Sequence, residues 1–272
     1  MVKNYSSVFF LTLAFVAVIA SAYFVVSKNP LFIRNLKETS QQENINQVQS
    51  DTANQSEEQN KEVLGIKEAA PDPEDGKPDI PNSILHEVPF TSQAPHANWD
   101  EPYQNLCEEA AALMAAFWVK GEEFISKTHQ DLELLKIKQW EEETFGDYID
   151  TTAEETAQIL TDYFNIPKVE VLSDPQISDL QAVLAQDGVV VVPTAGKLLE
   201  NPHFRGDGPL YHMLVIIGYD KQTNTFITND PGTKFGKNYT YSTENIDKSI
   251  ANWYNPTRTV NPSDRKVIAV YK

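Results

Sequence analysis

Disulfide bonds within the chain are excluded by composition, because Cys107 is the only cysteine among 272 residues. An exported domain of this make-up draws its stability from an ordinary apolar core. Basic residues are scarce as well: 22 Lys and Arg stand against 39 Asp and Glu, a formal net charge of -17. Such a balance repels phosphate backbones and anionic head groups, and it argues against a nucleic-acid partner. The five histidines include no two at a helical or strand spacing suited to one ion, so no metal or other cofactor is expected. Internal repeats are also lacking.

Aromatic residues are missing from residues 38–82, where eleven acids, three lysines and six glutamines fall. Too little apolar area is available there to offset chain entropy, and the Pro-rich stretch 71–78 cannot hold a helix. Residues 38–83 therefore read as a disordered acidic stalk. Ahead of it lies one long apolar run. Residues 8–26 carry no charge, enough at about 1.5 Å per residue to cross most of a bilayer core. Residues 1–37 are thus expected to be an N-terminal transmembrane anchor or signal segment with its flanks. Ala20-Ser21-Ala22 resembles a signal cleavage site, whereas the apolar run continuing through 23–26 favours an uncleaved anchor. Lys28, Arg34 and Lys37 follow the run and only Lys3 precedes it, which on charge alone would keep the rest in the cytoplasm. The short N-terminal tail, the cleavage-like site and the long spacer favour export. The expectation is a single-pass membrane protein with an extracytoplasmic domain, secreted if the segment is cleaved.

Folding material starts at residue 84, and the remainder, 84–272, is large enough for one core. Helical patterns come first, at 107–120, 126–143 (with Leu132, Leu135, Ile137 and Trp140 as a buried stripe), 152–164 and 178–186. Thr152 with Glu155 forms a capping-box pattern at the start of the third, and Ile159, Leu160 and Tyr163 can pack inward. Apolar, β-branched runs follow at 189–192, 213–217, 226–228 and 267–271. Helices first and strands after predict an α+β domain with an antiparallel sheet, since parallel strands would need helical crossovers.

Cys107 stands where a polar, turn-like stretch gives way to an alanine-rich helix. A thiol at a helix N-terminus faces unsatisfied N–H groups, which should favour the thiolate; the alternative is a small buried apolar side chain. Nucleophilic chemistry needs a base, a group to orient it and donors for an oxyanion. His212, at the head of the run 213–217, is the candidate base, ahead of His203 in its loop, while His86, His96 and His129 have neighbours that suggest nothing catalytic. Asp230 closes the next strand and should return beside His212 across the short turn 220–224; Asn229 is the alternative orienter, and Asp230 could instead cap its own Asp-Pro-Gly turn. Gln93 and Gln104 are the two candidates for a side-chain oxyanion donor beside the Cys107 N–H, with Gln93 preferred because Gln104 is so near Cys107 in the chain.

The stretch VPFTSQAPHANWDEPYQNLCEEAAALMAAFW (88–118), with YHMLVIIGYD (211–220) and NDPG (229–232), resembles the bacteriocin-processing-peptidase-like (C39-like) branch of the papain-like cysteine peptidases over about two thirds of the chain. The resemblance implies a papain-like fold, with Cys107 as nucleophile, His212 as base, Asp230 as orienter and Gln93 as oxyanion donor. Two features depart from it: many relatives have Cys-Gly where this chain has Cys107-Glu108, and the insertion between Gln93 and Cys107 is long. A transporter or nucleotide-binding segment is lacking. The expected activity is a membrane-tethered or secreted thiol hydrolase that cleaves a peptide or isopeptide bond in a peptide or protein substrate. Acyl transfer of the transglutaminase type, and a catalytically silent surface-tethered binding module with Trp99, Tyr103 and Phe204 lining its groove, are the alternatives.

Overall fold

A computed structural model describes residues 80–272. The expected anchor at 1–37 and nearly all of the expected stalk at 38–83 lie outside the described residues. Among those described, no helix is long and apolar enough to cross a membrane.

In chain order the elements are β1 (Ser83–Leu85), α1 (Cys107–Lys120), α2 (Lys127–Thr144), α3 (Ala153–Gln158), β2 (Val169–Ser173), α4 (Ile177–Ala185), β3 (Gly188–Thr194), β4 (His212–Asp220), β5 (Thr225–Asn229), β6 (Tyr239–Ser242), α5 (Thr243–Ser249), β7 (Asn252–Tyr254), β8 (Thr259–Asn261) and β9 (Lys266–Tyr271). One sheet takes the order β2-β9-β3-β4-β5-β6, β1 adds to β4, and β7 with β8 forms a separate ribbon. Every pairing is antiparallel. The expected mixture of helices and antiparallel sheet is present. Its segregation is incomplete, since among the described residues β1 precedes the helices and β2 comes before α4, and both join the same sheet.

Alternation along the central strands decides the layers. Val189, Val191, Met213, Val215, Ile217, Ile268 and Val270 point to the core under α1, α2 and α3. Val190, Val192, Leu214, Ile216, Val267 and Ala269 point the other way, against Leu180, Val183 and Leu184 of α4 and Ile246 of α5. Two covered faces explain why these strands read as continuous apolar runs rather than as alternating ones.

Helix α1 is the central element, with every residue from Cys107 to Trp118 buried. Its alanines, 110–112 and 115–116, favour the helix and keep its girth small, which lets it lie close on β4. Gly121 ends it at φ 66°, its N–H bonding back to the Phe117 and Trp118 carbonyls, a conformation that a side chain would strain. Helix α2 starts behind Ser126, whose hydroxyl caps His129 N–H. Its buried side chains are Leu134, Ile137 and Glu141; of the expected stripe Ile137 is buried, whereas Leu132 is 52% exposed and Leu135 and Trp140 are half-buried. The third helix has the expected Thr152–Glu155 capping box. After Gln158 it widens into a π-turn, Ile159–Tyr163, in place of a regular helix running to 164.

Candidate active site

The β4–β5 hairpin returns Asp230, the residue just past β5, to the start of β4, where His212 stands. His212 Nε2 and Asp230 Oδ1 are 2.8 Å apart, and both side chains are buried. Asp230 gathers three further donors: Gly232 N–H on Oδ1 at 2.9 Å, and the Tyr241 hydroxyl and Asn201 Nδ2 on Oδ2. Burial by itself would raise its carboxyl, but the His212 charge and these hydrogen bonds outweigh it and hold Asp230 below the usual carboxylate range. An ionised Asp230 only accepts, so His212 Nε2 carries the proton and Nδ1 is left as the basic nitrogen.

Small residues seat the ring. A Cβ on Gly232 would stand 2.8 Å from His212 Cε1, and one on Gly196 would stand 3.0 Å from His212 Cβ. The Phe204 ring meets the imidazole edge-on at 5.2 Å. Asp230 does not merely cap its own turn, therefore, although the turn is tight: its N–H bonds the Gly236 carbonyl. Asn229 is spent elsewhere, donating to the Val88 carbonyl and accepting from Asn238 N–H, which removes it as an orienter of His212.

Cys107 opens α1, as the sequence predicts, and is 5% exposed. Its thiol does not bond His212; it donates to Glu108 Oε2 at 3.0 Å. The other Glu108 oxygen accepts from Thr151 N–H at 3.2 Å. The expected lowering of the thiol pKa by the helix terminus is overturned. Burial pushes the Cys107 thiol well up, and the Glu108 charge and hydrogen bond push the same way. A helix terminus is worth about 1 kcal/mol, less than the cost of burying a thiolate beside a carboxylate. Glu108 is itself held well up, by burial first and then by the charges of Glu109 and Asp150.

Gln93 is buried, and its segment is stitched to the turn after Asp230 by Gln93 N–H and the Ser92 hydroxyl, both on the Pro231 carbonyl. The amide Nε2 donates to the Tyr103 and Gln104 carbonyls at 2.9 and 3.1 Å, so an oxyanion would have to displace one of them. Gln104 Nε2 is engaged by Glu101 Oε1.

Cys107, His212, Gln93 and Gln104 all line one cleft of about 1020 Å³. Trp99 and Phe204 line it as well, whereas Tyr103 does not. His203 is an exposed lining residue whose ring lies tilted against Phe235 at 4.6 Å. His86 binds the Leu184 carbonyl, and His129 packs on Phe117. Sequence reasoning missed the groups around the imidazole, namely Asn201, Tyr241, Gly196 and Gly232. Gly232 in Asp-Pro-Gly was the one signal in view, and it reads first as turn chemistry. Among the described residues no cluster of His, Cys, Asp or Glu is built to hold a metal ion.

A model of the Peptidase_C39 like family matches residues 85–261. A solved structure described as a C39-like peptidase from Bacillus anthracis aligns with 70% of this chain and 98% of its own, at 16% identity and a TM-score of 0.45. No curated protein matches.

Proposed function

Because this chain belongs to the Peptidase_C39 like family, we propose that it is a cysteine peptidase in which Cys107 is the nucleophile, His212 the base and Asp230 the residue that orients it. One observation carries the reading: Cys107, from the start of α1, and His212, locked by Asp230 at the start of β4, open onto the same cleft.

In this reading the thiol leaves Glu108 and turns toward His212, whose Nδ1 takes its proton. The thiolate attacks the scissile carbonyl carbon, and the oxyanion accepts from the Cys107 N–H, which has no partner one turn back in the helix, and from Gln93 Nε2. The His212 imidazolium, stabilised by Asp230, protonates the leaving amine as the C–N bond breaks and a thioester forms. Water, deprotonated by His212, then releases the carboxylate product and restores the thiol.

An electrophilic thiol probe tests this at neutral pH. The expected result is labelling at Cys107, abolished in Cys107→Ala and slowed about 100-fold in His212→Ala. Inert Cys107 in the folded protein would sink the proposal. The resting bond of the thiol to Glu108 favours one rival, a binding module without turnover. Substrate binding retained by Cys107→Ser, with no turnover of any bound peptide by the native protein, would favour that rival.

A further inference from the structure

We propose that the cleft takes an acidic peptide: an extended chain with a large apolar side chain near the bond presented to Cys107 and Asp or Glu on its flanks. Cleavage of that peptide rests on the peptidase reading above; its binding does not.

Carboxylates outnumber bases in this chain, 39 to 22. Yet no Asp or Glu among the described residues lines the cleft. Its charged lining consists of Lys127, Arg205 and Lys234. They come from three separate segments: the first turn of α2, the loop between β3 and β4, and the turn that follows Asp230. All three are exposed, and none is in an ion pair among the described residues. Among the other described bases Lys136, Lys138, Lys248, Arg258, Arg265 and Lys266 are each paired with a carboxylate, whereas Lys120, Lys168, Lys197, Lys221, Lys237 and Lys272 are not, so what sets the cleft apart is three cations with no acid in its lining.

Unpaired cations around a hollow with no acids have free capacity for carboxylates, and their fork or ammonium donors suit such partners. The net charge of -17 works against an acidic ligand at long range. Salt screens that field beyond about 8 Å at physiological strength, whereas the cleft cations act on a seated peptide within that distance. The apolar lining of the cleft includes Trp99 and Phe235, 40% and 54% exposed, and half-buried Phe124. Such a surface offers an aromatic or large aliphatic side chain contact area that charge alone does not.

The experiment uses the full-length protein and three fluorogenic peptides that share a Phe-containing centre and differ only in Glu, Gln or Lys flanks. The expected ratio of kcat/KM for Glu over Gln flanks is about tenfold at low salt, the Lys peptide being poorer still, and the ratio shrinks as salt rises. In the triple variant K127Q/R205Q/K234Q it falls to about twofold. The ratio is internal to each preparation, so it does not depend on how active a variant is. Cleavage that is indifferent to the flanks, or that favours Lys, overturns the inference and leaves the peptidase reading standing. The same peptides are titrated by anisotropy against Cys107→Ala, so a protein that binds without turnover also answers the question. Salt-sensitive, Glu-selective binding there supports the inference even if the peptidase reading fails, and binding without flank preference overturns it.

Discussion

At the scale of single residues, the pair Cys107–Glu108 is the unusual feature. The thiol is raised by burial and then by the charge and acceptor of its neighbour, so the resting state holds a proton that catalysis must move. Removing that charge while keeping the side chain's volume should ease ionisation. In Glu108→Gln the alkylation of Cys107 is expected to set in at lower pH than in the native protein; a profile that does not move contradicts the role given to Glu108. Asp230 works in the opposite direction. Burial opposes its ionised form, but His212 and the surrounding donors hold its carboxyl below the ordinary range, so the stability it contributes is present at neutral pH and is lost as pH falls through the lowered value. Asp230→Asn would let His212 adopt the wrong tautomer, and kcat is expected to fall between about 100-fold and 10⁴-fold with KM nearly constant. A normal kcat in that variant would remove Asp230 from the account. The pairing of His212 with Asp230 was legible in the sequence because chain order and a hairpin sufficed to bring them together. The Glu108 contact was not, because helix-terminus reasoning does not weigh burial against the dipole.

At the scale of elements, α1 and α2 meet through two carboxyls. Glu109 and Glu141 are both buried, and no N–H or O–H donor among the described residues reaches them. Protonation of one lets it donate to the other, and burial holds both well above the carboxylate range. The folded protein therefore keeps a proton that the unfolded chain has already released, and stability falls as pH rises out of the ordinary carboxylate range toward the raised values. Glu109→Gln donates to Glu141 without that proton. Its melting temperature is expected to exceed the native one at pH 8 by a few degrees, about 1 kcal/mol, with the gap closing at pH 5. An equal shift at both pH values would contradict the shared proton. This pair also explains the misread stripe on α2: a rule that puts apolar residues inside selects Leu132, whereas the inward face at Leu134, Ile137 and Glu141 contains a carboxyl. The long strands and the Thr152 capping box were readable from periodicity and end signals. The short strands β1, β6, β7 and β8 were not, since three or four residues carry too little pattern, and half-exposed β2 lacks a continuous apolar run.

For the whole molecule, β4 spans from the first described strand to the site. Ser83 of β1 pairs with Asp220 at one end of β4, whereas His212 opens the other end, so the described chain begins well away from the cleft. A cysteine at the tip of a buried helix, an imidazole at the start of a central strand and a loop pinned to the turns before α1 and after Asp230 line one cleft. The fold class followed from the order of patterns along the chain; convergence on a single cleft depended on which strands neighbour one another, which the patterns do not state. That convergence is the central claim, and cleavage of a peptide library by the native protein and by Cys107→Ala tests it most directly. The account expects discrete cleavage products from the native protein and none above background from the variant. No products from either, or equal products from both, would contradict it.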